Sequence, residues 1–120
     1  MSYEQFAVEA ISVSVAAGTR SEPIYLPDRG SGITAIPGAG GSMQVFKSSS
    51  PRALIAADIS NGSLSYANLI AGTQPTNSKW MSWVSGAVTA MTNEGPIESD
   101  GDIAVIGTAT TQAGVLEVTR

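Results

Sequence analysis

Carboxylates concentrate in one place in this chain, at Glu94, Glu98, Asp100 and Asp102. Oxygen ligands so spaced could hold Ca²⁺, and two of them could work as a general acid and base. A plainer reading competes. Asp100-Gly101 is a turn dipeptide ahead of a strand, and the alternating oxygen ligands of an EF-hand, closed by a Glu at the twelfth position, are missing. The chain has no His and no Cys. Imidazole bases, thiolate nucleophiles, zinc sites of the usual ligands and disulfides are therefore excluded within it. The expectation is a chain without catalytic residues, metal or cofactor, and not an enzyme.

Three further motifs have chemical readings. Gly38-Ala39-Gly40-Gly41-Ser42 suggests a phosphate cradle, but the Gly-Lys-Ser/Thr ending of a P-loop is absent and Met43 stands where a dinucleotide fingerprint needs its third Gly. It reads as a hairpin loop. Asn61-Gly62-Ser63 fits an N-glycosylation acceptor, but without a secretion signal it reads as a tight turn. Trp80 and Trp83 stand three apart, so in an extended segment they face opposite sides of a sheet. Both could be core residues, or one could reach an interface or stack on a sugar. A carbohydrate- or Ca²⁺-binding β module thus rests on these tryptophans and the acidic group alone.

The elements that must position these residues follow from composition. In 120 residues there are 19 Ile and Val against 5 Leu, and only 8 Lys and Glu, so strand formers outnumber good helix formers. Charged residues make up 13%, about half the usual share, and the polar surface must come from Ser and Thr. Six basic residues spread through a chain of net charge −4 give no phosphate-binding tract, which disfavours nucleic acid. No apolar run reaches the roughly 20 residues of a membrane helix, and Glu4 stands where a signal peptide would be basic. A soluble, unprocessed chain is expected.

Along the sequence, apolar alternation through Phe6 and Val8 and again through Ile11, Val13 and Val15 changes phase near Glu9 and Ala10, which predicts a bulge or a bend between two short strands. Ile24–Leu26 reads as a short strand. Ile33–Ile36 and Ser42–Lys47 read as a hairpin across the glycine-rich loop, and Ile103–Thr108 with Val115–Thr119 as a terminal hairpin. Ala53–Ile59 is Ala-rich and open to a helical turn, but Leu64 and Tyr66 beyond Asn61-Gly62 favour strands around a type I′ turn. Ala71–Lys79 reads as a loop, followed by strand segments at Trp80–Val84 and Ala87–Met91. The predicted fold is all-β: residues 1–120 form one antiparallel β-sandwich or small barrel, the jelly roll among its forms.

Taken together, Ile33-Thr34-Ala35-Ile36-Pro37-Gly38-Ala39-Gly40-Gly41-Ser42, Ala71-Gly72-Thr73, the Trp80–Met91 stretch and the closing Ile103–Val118 segment resemble small β-rich structural proteins of tailed bacteriophages. The likeness spans about residues 33 to 119, and its motifs are fold-like rather than chemical. It implies a non-enzymatic virion component. Capsid decoration or cement proteins, which bind the assembled capsid and bridge its subunits, come first, and a tail, adaptor or fibre-associated domain second. The implied partner is the major capsid protein or another virion protein, with a homodimer or trimer expected because sheet edges need covering. Tyr3 and Phe6 lie before the likeness. Residues 1–8 could be an exposed arm that anchors to the partner or a first strand in the domain's own sheet. Tyr3, Phe6, Trp80 and Trp83 are therefore the candidate partner-binding residues.

Overall fold

The computed structural model describes residues 8–26, 32–38, 41–83, 92–94, 103–109 and 114–119. In chain order the strands are β1 (Val8–Val15), β2 (Thr19–Arg20), β3 (Ile24–Leu26), β4 (Gly32–Ile36) and β5 (Met43–Ser48). Helices α1 (Arg52–Asn61) and α2 (Tyr66–Ala71) follow, then β6 (Met81–Ser82), β7 (Thr92–Glu94), β8 (Ile103–Ala109) and β9 (Gly114–Thr119). One sheet has the order β1-β9-β4-β7; the other has the order β2-β8-β5-β6, with β3 also paired to β8. Every strand pair is antiparallel.

The phase change falls within one continuous strand, β1, whose register against β9 shifts between Glu9 and Val13. Ile24–Leu26 is β3, and the chain from Thr73 to Trp80 is loop. Both predicted hairpins are absent. β4 and β5 belong to different sheets, as do β8 and β9, so the segments between them carry the chain from one sheet to the other. In the first of these, Gly41 N–H closes a turn onto Gly38 O at 2.9 Å, and positive φ among the described glycines is found elsewhere, at Gly18, Gly62 and Gly72.

β8 explains the layering. Each of its residues is buried, because β5 flanks it on one side, β2 and β3 on the other, and both faces are covered. On one face Ile103 and Val105 pack with Ile24, Leu26, Met43 and Val45 and with Ile33 and Ala35 of the other sheet. On the opposite face Ala104 and Ile106 join Phe46 and Trp80 beneath Ile55, Leu64 and Leu69 of the helical segment. The period-2 alternation of β3, β5 and β8 sorts these residues consistently between the two clusters.

The helices are the main departure from the all-β expectation. The segment Ala53–Ile59, expected as a strand, lies within α1: the alanines favour helix, and Ile55, Asp58 and Ile59 recur on the covered side at helical spacing. A carboxylate within that stripe disguises it as a polar position. Asn61-Gly62 is the helix end instead of a hairpin turn: Gly62 takes φ 80° and donates its N–H to Ile59 O. α2 is bounded by Ser65, whose hydroxyl accepts from Asn68 N at 3.2 Å, and by Gly72 at φ 78°. The fold is strand-rich and antiparallel, with a helical layer over one face of the five-stranded sheet that a plain sandwich or barrel lacks.

Candidate functional site

The helical segment holds the densest polar construction among the described residues. Asp58 is wholly buried in α1, and no salt bridge among the described residues reaches it. Its Oδ2 accepts from Ser78 N and Ser78 Oγ, both at 2.6 Å, and from Asn77 N at 3.1 Å. Its Oδ1 accepts from Asn77 N and Nδ2, each at 3.0 Å, from Ser63 Oγ at 3.1 Å and from Asn61 Nδ2 at 3.3 Å. Burial by itself raises a carboxyl pKa. The bonds from the Ser78 hydroxyl, the Ser78 and Asn77 backbone and Asn61 outweigh it and hold Asp58 well below the usual carboxylate range. The Asp58 carboxylate stays ionised and has its acceptor capacity filled. It ties the Thr73–Trp80 loop to the helices and is not a general base. Sequence reasoning missed it because its partners at 61, 63, 77 and 78 read as ordinary turn residues.

Neighbouring contacts extend this construction. Ser63 Oγ also accepts from Thr76 N at 3.2 Å, and Ser78 Oγ accepts from Trp80 Nε1 at 2.9 Å. Gln74 clasps the Trp80 backbone from both sides, with Oε1 taking its N–H and Nε2 giving to its carbonyl, each at 2.8 Å. Arg20 of β2 donates from Nε to Leu64 O at 2.6 Å, fastening the link between the helices to the sheet. At the start of α1 the Arg52 guanidinium lies over the Tyr25 ring, 4.1 Å from its centroid.

The predicted site residues are separated by this arrangement. Trp80 and Trp83 lie on opposite faces of the five-stranded sheet: Trp80 is buried beneath the helices, and Trp83 is half-buried against the other cluster with Lys47 Nζ 5.4 Å from its ring centroid. Of the two, Trp83 has the more accessible ring. Tyr3 and Phe6 lie outside the described residues, as do Glu98, Asp100 and Asp102; Glu94 ends β7. Among the described residues, no group of three acidic side chains gathers where a metal could sit.

The outward side of the helices has a different character. Ala53, Leu54, Ala56 and Ala57 of α1 are exposed, and so are Ala67, Ile70 and Ala71 of α2. Arg52 is the single charge that the two helices expose, since Asp58 is buried. Solvent-facing helix surfaces ordinarily carry Lys and Glu. Met81, at the exposed edge strand β6, is 62% accessible. Compared with protein-family models, with curated proteins and with solved structures, the chain matches none.

Proposed function

We propose that this protein is a non-enzymatic structural protein of a tailed-phage virion, a decoration or cement protein that binds the assembled capsid and bridges neighbouring subunits. The observation that carries the reading is the outward face of α1 and α2, where Leu54 and Ile70 stand exposed among alanines with one charge nearby. Such a surface loses little hydration energy on docking, and weak contacts repeated over a symmetric lattice act together. The saturated Asp58 agrees with a role in architecture instead of turnover. A homodimer or trimer, in solution or on the particle, belongs to the same proposal, with sheet edges and this helical face as the surfaces to be covered.

Counting copies on purified particles of the phage that encodes the chain, by cryo-EM reconstruction, tests the reading. Hundreds of copies on the capsid are expected. A few copies at the tail would move it to an adaptor or fibre-associated part, and absence from the particle would overturn it. Tyr3 and Phe6 are proposed as anchors to the capsid, and removal of residues 1–7 is expected to abolish particle binding with little change in melting temperature.

A further inference from the structure

A cleft of about 350 Å³ opens where the end of β5 meets the loop before β6. Lys47 and Lys79 line it, two of the six basic residues in a chain of net charge −4. Trp80 and Ile103 supply apolar lining. Among the described residues, Arg20 and Glu22 form the ion pair, and neither lysine ammonium has a carboxylate partner.

The serines of the cleft are oriented by the backbone. Ser48 Oγ accepts from Ser50 N at 3.1 Å, and Ser50 Oγ accepts from Lys79 N at 3.0 Å. Each hydroxyl oxygen is thus engaged as an acceptor, which leaves its own proton to give away. Ser48 is 3% exposed, and neither hydroxyl gives that proton to a protein acceptor among the described residues. Two lysines and two serines whose hydroxyl protons are uncommitted, beside apolar lining, match a ligand that is anionic at one end and greasy at the other.

We propose that this cleft binds an organic carboxylate joined to a small aliphatic group. The lysines and serine hydroxyls take the carboxylate, and Trp80 and Ile103 take the aliphatic part. Either a free small acid or the C-terminal residue of a protein partner supplies this chemistry. The inference rests on the cleft alone and stands apart from the virion reading.

N-acetyl-leucine is the probe, titrated into the full chain at low salt and followed by tryptophan fluorescence, because Trp80 lines the cleft and Trp83 lies beside Lys47. Saturable binding is expected, weakened about tenfold for N-acetyl-leucinamide, which lacks the charge. Lys47→Gln and Lys79→Gln should each weaken it about fivefold, with Lys79→Arg binding as wild type. Unchanged melting temperatures show that these variants fold. An acetylated pentapeptide ending in a leucine carboxylate that binds as tightly assigns the ligand to a protein terminus; rejection of the peptide alone assigns it to a free acid. Equal affinity for acid and amide, wild-type affinity in both glutamine variants, or no saturable signal by about 20 mM would overturn the proposal.

Discussion

Ser78 meets one oxygen of Asp58 twice, its backbone N–H and its hydroxyl both lying 2.6 Å from Oδ2. That double contact pins a loop to a helix twenty residues earlier, and the same hydroxyl accepts the indole N–H of Trp80. A buried carboxylate surrounded by neutral donors is strongly coupled to its neighbours, because a donor that loses it becomes an unsatisfied buried group.

Asp58→Asn presents an amide NH₂ to donors arranged around an anion. The variant is expected to lose about 2 to 4 kcal/mol of stability, read by urea denaturation. Asp58→Ala should lose at least as much. A loss below about 0.5 kcal/mol in both would show that the loop is held by its apolar contacts.

The depressed pKa of Asp58 fixes the sign of a pH effect. Its contribution is fully present above the ordinary carboxylate value near 3.8 and is lost as pH falls from there through the lower folded value. The stability difference between wild type and Asp58→Asn should therefore be constant above about pH 5 and shrink below pH 4. A difference that grows on acidification would contradict the hydrogen-bond assignment.

Gly72 ends α2 at φ 78°, with open space where a Cβ would stand. Gly72→Ala is expected to cost about 1 kcal/mol through the backbone alone, and Gly72→Asn less, since Asn tolerates the left-handed region. Calorimetric melting of the two variants checks the order, and an alanine variant as stable as wild type would refute it.

Leu54→Lys combined with Ile70→Lys changes the exposed helical face without touching the core. Stability should move by less than about 1 kcal/mol, taking both sites together, while retention on purified particles is lost. Undiminished binding would remove this face from the docking surface.

Strand content and the register shift in β1 are legible because they depend on local alternation. Ile24–Leu26 shows the same: its buried ends and half-buried centre follow the period of two. Sheet membership was not legible. Gly38 and Gly41 look like hairpin residues from sequence, yet the turn they close delivers Met43 to a different sheet from Ile36. α1 is disguised because Leu64 and Tyr66, beyond its alanines, mimic strand alternation. Asp58 could not be singled out at all, since what distinguishes it is the arrival of Asn77 and Ser78 from a distant loop.

The threading of the two sheets sets how this chain must acquire its structure. It passes between sheets from β1 to β2, β3 to β4, β4 to β5, and at each step from β6 through β9. No described strand pairs with its successor across a tight turn, so among the described strands no local hairpin forms early and waits for the rest. β8, the last strand of its sheet to emerge in sequence, is also the one that β2, β3 and β5 all need. Closure of long loops before any reward places folding in the slow, milliseconds-to-seconds regime of non-local β proteins. A chain stopped short of Ile103 lacks the common partner of those strands.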